Sequence, residues 1–134
     1  MKINNETLQF IKLFEKIAQV KVKDCFQNNE RLLFIIEGNI LKAIGKNGSN
    51  IKKFENMTKR KIKVVEFSKD IIRFIRSFLF PIQVDEIKNE EGNITIKVGN
   101  TRDKGLIIGR DRRNIENLKK IAGKFYSVID IKIV

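Results

Sequence analysis

Histidine and tryptophan are absent from the 134-residue sequence, and cysteine and proline each occur only once. Without histidine the chain has no imidazole base or metal ligand, so neither a Ser/His/Asp nor a Cys/His catalytic set can form. The single cysteine, Cys25, excludes an internal disulfide and any zinc site built from cysteines. We therefore predict no cofactor, no metal site and no enzymatic activity.

Long apolar runs and a flexible linker are missing too. No segment is apolar over the roughly 20 residues that a membrane-spanning helix requires, and residues 1–5 carry no apolar signal segment. One proline and no Ser/Gly-rich tract predict a chain that is compact throughout. We expect a cytoplasmic protein that has no membrane partner.

Positive charge is the strongest compositional signal. Lysine and arginine number 28 against 16 aspartate and glutamate residues, which gives a net charge of +12 and an isoelectric point near 10.0. Such an excess favours polyanionic partners, although a generally lysine-rich proteome gives the same composition. Because 42% of the residues are hydrophobic, we also expect a packed core.

An internal repeat organises the sequence. Residues 44–51 read Ile-Gly-Lys-Asn-Gly-Ser-Asn-Ile, and residues 108–115, 64 positions later, read Ile-Gly-Arg-Asp-Arg-Arg-Asn-Ile. Gly38-Asn39 and Gly99-Asn100 match at an offset of 61. Self-similarity of this kind is typical of a repeated supersecondary unit. We predict two domains, residues 1–67 and 68–134, and expect the second to have a shorter hairpin and a longer approach to its glycine loop.

Hydrophobic periodicity and turn residues give both halves the same order: helix, strand, strand, helix, glycine loop, helix, strand. The first half is predicted to have helices over 5–18, 40–44 and 49–58, strands near 20–22, 31–37 and 61–67, a turn at Asn28-Asn29 and a helix cap at Ser49. The second half is predicted to have a helix opened by Ser68 and Asp70 and ended by Pro81, helices up to Ile108 and over 113–123, and strands over 82–88, 94–98 and 126–133.

Phenylalanines lie on or near the predicted apolar stripes of these helices. The first helix places Leu8, Ile11, Phe14 and Ile17 on one stripe. Aromatic rings can stack on nucleic-acid bases, but rings at helical spacing are more often buried. Core packing is therefore the preferred interpretation for the helical phenylalanines, which are Phe10, Phe14, Phe54, Phe74 and Phe78.

The loop Gly45-Lys46-Asn47-Gly48 interrupts the helical segment of the first half. Glycine has no Cβ atom, so the chain can turn sharply here and let a sugar-phosphate strand lie against its backbone. The following helix directs its positive dipole end toward the loop, and Lys46 adds a mobile positive charge. Gly-x-x-Gly alone is a weak motif that also occurs at helix corners, but its flanking amphipathic helices, Lys46 and the repeat favour a binding loop.

The second copy of the loop, Gly109-Arg110-Asp111-Arg112, has an arginine where the second glycine belongs. A side chain at this position obstructs the closest backbone approach, and Asp111 places a negative charge near a phosphate path. Against that, Arg110, Arg112 and Arg113 cluster at a predicted helix N-terminus and can grip phosphate in their own way. Two interpretations stay open: a second phosphate contact, or a degenerate copy kept for structure or for a wider basic surface.

The order of elements and the Gly45-Lys46-Asn47-Gly48 motif resemble the type II KH domain, whose signature is Gly-x-x-Gly between two helices. A tandem pair this short is similar to the archaeal NusA-like transcription termination/antitermination factors, and the similarity covers nearly the whole chain. The resemblance implies an α+β fold (an α/β sandwich) of two tandem type II KH domains, each a three-stranded sheet covered on one face by helices. It also implies single-stranded RNA binding, with the loop clamping about four nucleotides.

The candidate RNA-binding residues lie in and beside the two loops. They are Ile44, Gly45, Lys46, Asn47, Gly48, Ser49, Asn50, Ile51, Lys52 and Lys53 in the first copy, and Gly109, Arg110, Arg112, Arg113 and Asn114 in the second. Residues 39–63 and 102–124 hold eight basic residues each, so sixteen of the 28 lie around the loops. We expect a monomer that binds single-stranded RNA, with RNA polymerase or ribosomal components as further candidate partners.

Other classes of function fit the sequence less well. Gly45-Lys46 resembles part of a phosphate-binding P-loop, but Ile40 stands at its first glycine position and Asn47 at its Ser/Thr position. Acidic pairs such as Asp85-Glu86 lie in a predicted strand, where neighbouring side chains face opposite ways. Two alternatives stay open: a ribosome-associated or ribosome-assembly KH protein, and an interaction module that contacts RNA polymerase with little RNA binding.

Overall fold

The computed structural model describes residues 4–27 and 31–134 of the chain. It divides into two compact units, Met1–Ser68 and Lys69–Val134. Within the described residues each unit contains one three-stranded sheet and three α-helices, so the predicted α+β fold class is confirmed. The assignment of KH domains to residues 1–67 and 68–134 stays a prediction, one residue away from the division between the units. The predicted turn at Asn28-Asn29 lies outside the described residues.

The elements follow the predicted order in both units. Those of the first unit are α1 (Asn5–Ala18), β1 (Lys21–Gln27), β2 (Arg31–Glu37), α2 (Ile40–Ile44), α3 (Ser49–Thr58) and β3 (Lys61–Glu66). Those of the second unit are α4 (Ile71–Leu79), β4 (Glu86–Glu90), β5 (Asn93–Lys97), α5 (Thr101–Ile108), α6 (Arg113–Phe125) and β6 (Asp130–Ile133). A short 3-10 turn precedes α3 at Lys46–Gly48 and α6 at Arg110–Arg112.

The helix α1 is fixed by a cap at its start and by one buried stripe. The Thr7 amide donates a hydrogen bond to Asn4 Oδ1 at 2.7 Å. The buried stripe consists of Thr7, Ile11, Phe14 and Ala18. Leu8, which was predicted for this stripe, is 41% exposed. The predicted stripe was right at Ile11 and Phe14 but wrong at Leu8. The buried face starts one residue earlier, at Thr7, from which Ile11, Phe14 and Ala18 follow at the i+4, i+7 and i+11 positions.

Three phenylalanine rings form the centre of the first unit. Phe14 stacks on Phe34 of β2 with ring centroids 4.7 Å apart, and Phe54 of α3 meets them edge-on at 5.7 and 5.4 Å. All three side chains are fully buried. The rings therefore hold α1 and α3 against the sheet, and the interpretation of Phe14 and Phe54 as core residues is confirmed.

Both sheets have the same mixed topology. The strands β1 and β4 pair antiparallel with β2 and β5, and these central strands pair parallel with β3 and β6. A parallel pair needs a long crossover between its strands. In each unit the crossover consists of two helices with the glycine loop between them, so the fold places the loop between the ends of two packed helices.

The two ends of α4 show how local chemistry decides where a helix begins and ends. The Ile72 amide donates to Asp70 Oδ1 at 2.9 Å, so Asp70 is the cap and the expectation that Ser68 also opens the helix is wrong. The helix ends at Leu79, and Pro81 follows two residues later, as predicted.

The two outer strands of the second sheet are shorter than predicted and begin later, whereas β5 (Asn93–Lys97) lies one residue from its predicted range of 94–98. β4 begins at Glu86 instead of residue 82, and β6 begins at Asp130 instead of residue 126. In the register, Glu86 pairs with Lys97 and Asp130 pairs with Asn93, at the two ends of β5. The alternating pattern over 126–129 therefore lies in the connection from α6, beyond the reach of the central strand.

The two units differ where the sequence repeat predicts. Each strand of the hairpin has seven residues in the first unit and five in the second, while α5 has eight residues against five in α2. An asparagine caps both of these helices: Asn39 accepts from the Leu41 amide and Asn100 from the Asp103 amide, each at 2.8 Å. The shorter hairpin and the longer approach to the second loop are thus confirmed.

Candidate nucleic-acid interface

The first loop makes a tight left-handed turn between α2 and α3. Gly45 has φ 81° and ψ 166°, and it is followed by Asn47 at φ 56° and Gly48 at φ 74°, both in the left-handed region. The Gly48 amide donates to the Gly45 carbonyl at 3.1 Å and closes the turn. Positive φ angles at three positions explain why the loop contains two glycines and an asparagine, the residue types that adopt such angles at the lowest cost.

Gly45 is required by close packing inside the loop. A Cβ atom on Gly45 would lie 2.7 Å from Ser49 Oγ and 2.9 Å from Asn50 Cγ. The Asn50 side chain occupies this position because its Nδ2 donates to the Lys42 carbonyl of α2 at 3.1 Å. Asn50, a candidate RNA ligand, thus links α3 to α2 and positions the loop. The sequence alone did not indicate this structural role.

Ser49 does not cap α3. It is the first helical residue, with φ −59° and ψ −39°, and Gly48 stands at the cap position without a side-chain hydrogen bond. The prediction of a Ser49 cap is therefore wrong. The reason is that the left-handed Gly48 already turns the chain into the helix, which moves Ser49 one position past the cap.

Gly48 leaves open space in front of the loop. A Cβ atom built on Gly48 would meet only the Cε atom of Lys52, at 4.0 Å. Gly48 is thus favoured by its backbone angles alone, whereas Gly45 is required both by its backbone angles and by packing. The uncovered backbone lies at the start of α3, where the helix dipole favours an anion.

The other candidate residues of the first copy lie around this opening. Four of them have exposed side chains: Lys46, Asn47, Lys52 and Lys53. Ile44 and Ile51 are half-buried, and Ile51 packs against the core cluster of the first unit. Leu41, which the sequence did not single out, is 74% exposed one turn before Gly45. The exposure of Leu41 could not be predicted from the sequence, because α2 is too short to show a periodic apolar stripe.

The second loop has the same backbone conformation as the first. Gly109 has φ 76° and ψ 169°, Asp111 has φ 54°, and Arg112 has φ 62°. The Arg112 amide donates to the Gly109 carbonyl at 3.2 Å. Replacing the second glycine by arginine therefore leaves the turn intact, although a non-glycine residue is strained at this angle.

The first glycine of the second loop is held by the same packing. A Cβ atom on Gly109 would lie 2.6 Å from Asn114 Cγ. Asn114 Nδ2 donates to the Leu106 carbonyl of α5 at 2.9 Å, as Asn50 does to Lys42. The repeat thus conserves a glycine–asparagine clasp that positions each loop, and Asn114, like Asn50, is engaged in it.

The two loops differ in their side chains and charge. Arg112 Nε lies 3.6 Å from Glu116 Oε1 one helical turn later. Lys52 stands at the position of Glu116 in the first copy, 64 residues earlier. Residues 46–53 carry three lysines and no acid, whereas 110–117 carry three arginines and two acids.

Some basic residues of the two predicted clusters belong to the framework. Lys61 pairs with Glu55 at 3.6 Å, and the Arg60 guanidinium lies 5.9 Å from the centre of the Phe10 ring. Burial, and then repulsion from Arg31, lowers the pKa of the half-buried Lys63 on β3 to about 8. Arg60, Lys61 and Lys63 are thus engaged by residues of their own unit, whereas Lys46, Lys52 and Lys53 are exposed in the loop and the first turn of α3.

The described part of the chain, 4–27 and 31–134, contains no helix with the length and apolar composition to cross a membrane. The same residues bring together no group of three His, Cys, Asp or Glu side chains that could hold a metal ion.

Two units, each with a mixed three-stranded sheet and a glycine loop inside its parallel crossover, define a tandem KH-like protein. Whole-chain relatives are proteins named probable transcription termination protein NusA. The relative from Methanocaldococcus jannaschii is 34% identical over 139 residues, covering 100% of this chain and 75% of the relative. The relative from Methanococcus vannielii is 33% identical, covering 100% and 80%. The chain belongs to the family of archaeal NusA-like proteins.

Two further comparisons complete this picture. The NusA protein of Thermoplasma acidophilum is 29% identical, over 98% of this chain and 94% of its own length. A crystal structure of the protein APE1850 superposes with a TM-score of 0.72 at 30% identity, covering 98% of this chain and all of that one. No family model matches the sequence.

Proposed function

We propose that this NusA-like protein binds single-stranded RNA through its first glycine loop and acts in transcription termination or antitermination. The observation that carries the proposal is Gly48: its left-handed backbone faces open space at the start of α3, with Lys52 beside it. A sugar-phosphate chain fits such an opening, because no side chain holds it away from the backbone. The relatives' name, transcription termination protein, supports the transcriptional role.

The candidate residues divide by role in this proposal. Gly45 and Asn50 hold the loop in shape, and Gly48 lets the RNA backbone approach. Lys46, Lys52 and Lys53 supply charge to the phosphates, while Asn47 and Ser49 are exposed polar groups on the same path. Ile44 and Ile51 form the apolar side of the groove, where unstacked bases pack. Gly109, Arg110, Arg112, Arg113 and Asn114 form a second, weaker contact.

The proposal includes the wider setting. We propose a monomeric cytoplasmic protein without catalytic activity, and the lack of histidine supports the last point. RNA polymerase is the favoured protein partner, because the relatives are named for transcription. The same naming makes a ribosomal role the less supported alternative.

Fluorescence anisotropy over a salt series tests the proposal directly, with single-stranded RNA, duplex RNA and single-stranded DNA as probes. The wild type is compared with Gly48→Asp, which adds bulk and a negative charge at the opening. Gly123→Asp adds the same charge to an exposed glycine of α6 where a Cβ atom meets nothing within 4 Å. Circular dichroism confirms that each variant is folded.

The proposal predicts preference for single-stranded RNA and a loss of about tenfold or more in affinity for Gly48→Asp, against little change for Gly123→Asp. The opposite result would be equal binding to all three probes, lost at high salt and unchanged by Gly48→Asp. That result would show that binding is only a general effect of net charge.

A further inference from the structure

We propose that Glu116 sets the affinity of the second loop for RNA, by pairing with Arg112 in front of the loop where the first loop presents a lysine. The proposal rests on the proposed binding of single-stranded RNA. It assigns control of RNA affinity to an acidic residue that lies outside the glycine motif.

Backbone shape does not distinguish the two loops. The left-handed residues Gly48 and Arg112 have φ 74° and 62° with the same ψ of 19°. The Gly48 and Arg112 amides close the two turns with bonds of 3.1 and 3.2 Å. A difference in RNA affinity between the loops must therefore come from the side chains that stand on this shared backbone.

Arg112 is engaged by carboxylates of its own unit. Its Nε lies 3.6 Å from Glu116 Oε1, and both side chains are 58% exposed. A second carboxylate, Asp130, is also within its electrostatic reach. The pKa of Asp130 is lowered chiefly by a backbone hydrogen bond from Ile131 and by Lys119, with a smaller contribution from Arg112. A phosphate that approaches this guanidinium therefore meets the negative charge of nearby carboxylates.

The first loop shows the opposite arrangement at the matching positions. Lys52 stands where Glu116 stands in the repeat, and its Cε lies 4.0 Å from the place of a Cβ atom on Gly48. Its positive charge thus borders an empty opening. In the second loop Arg112 replaces Gly48 and the negatively charged Glu116 replaces Lys52.

The Arg112–Glu116 pair obstructs RNA without sealing the loop. Exposed ion pairs contribute little to stability because water screens them, so RNA can displace the carboxylate at a modest cost. The second loop is therefore a weak site whose affinity depends on the charge at position 116. Removing that negative charge is expected to strengthen binding severalfold.

The experiment uses the full chain carrying Gly48→Asp, so that the first loop no longer dominates binding. Into this background we introduce Glu116→Gln, Glu116→Lys, or the matched changes Glu90→Gln and Glu90→Lys. Glu90 is an exposed acid at the end of β4, outside the second loop and its two helices. Affinity for single-stranded RNA is measured by anisotropy over a salt series, and circular dichroism checks folding.

We expect Glu116→Gln to raise affinity about threefold and Glu116→Lys about tenfold. For Glu116→Lys, the slope of log affinity against log salt concentration is expected to steepen by about 0.7, the value for one new phosphate contact on a single strand. The Glu90 variants are expected to change affinity less than about twofold, because Glu90 lies on β4, outside the loop and its two helices, and an exposed charge there is screened by water and salt. Glu116 variants that match the Glu90 variants overturn the inference.

The two proposals fail in distinguishable ways. If Gly48→Asp weakens binding but the Glu116 and Glu90 variants behave alike, only the role of Glu116 is wrong. If the wild type shows no preference for single strands and Gly48→Asp has no effect, the proposed function fails and the role of Glu116 fails with it.

Discussion

From Gly45 to Gly48, and again from Gly109 to Arg112, the chain makes the same turn, yet the fourth residue is glycine in one and arginine in the other. The comparison separates two requirements that the Gly-x-x-Gly motif combines. Its first glycine is needed twice over, because its backbone angles are ones that essentially only glycine adopts and because an asparagine packs where a Cβ atom would stand. Its second position needs only a residue that accepts a positive φ, and glycine there serves access to the backbone.

The largest expected effect is on stability, from Gly45→Ala or Gly109→Ala. Each alanine adds strain at positive φ and pushes against the asparagine clasp, so we expect a loss of roughly 2 kcal/mol. Gly48→Ala is the comparison, because it has open space around its Cβ atom and milder, left-handed backbone angles, and it is expected to lose about 1 kcal/mol from backbone strain. Urea denaturation checks the order; a Gly45→Ala protein as stable as Gly48→Ala would show that the clasp does not matter.

The next effect concerns RNA affinity and the two adjacent lysines of α3. Lys52 borders the opening at Gly48, so Lys52→Glu, which copies the second loop, is expected to weaken binding about fivefold to tenfold. Lys53→Glu makes the same change of charge one position along the helix, and we expect about twofold. Anisotropy at fixed salt measures both affinities. Equal losses would mean that the helix contributes only general charge.

The smallest expected effect is that of Arg112→Gly in the otherwise unchanged protein. This variant opens the second loop but removes the positive charge that pairs with Glu116, so the gain in access and the loss of that positive charge offset each other. We expect affinity for single-stranded RNA to stay within about twofold of the wild type. A loss well beyond this range would show that the arginine itself grips RNA and that the loops are more alike in function than we propose.

Much of the fold was predictable because its signals are local. The strand Arg31–Glu37 and the helix Ile40–Ile44 have the predicted bounds, since an apolar run, a turn residue and an asparagine cap mark them. The sequence repeat also predicted the longer α5. The predictions went wrong where tertiary pairing decides the limits, as at 126–129, where an alternating pattern lies outside the register of the sheet.

The site was less predictable than the fold. The Gly-x-x-Gly frame indicates where the loops lie, but the sequence cannot say which side chain each glycine accommodates. Asn50 and Asn114 were predicted as RNA ligands, and their hydrogen bonds to Lys42 and Leu106 carbonyls appear only when the helices are placed in three dimensions. The Arg112–Glu116 pair spans one helical turn and could have been expected from its i, i+4 spacing.

The central claim is that two loops of one shape bind RNA unequally. An NMR titration of the isotope-labelled full chain with a short single-stranded RNA tests it most directly, because amide signals of both loops are followed in one sample. We predict that amides of residues 45–53 shift first and saturate, while those of 109–117 shift less and only at higher RNA concentration. Equal shifts at equal concentrations, or shifts confined to 109–117, would contradict the account.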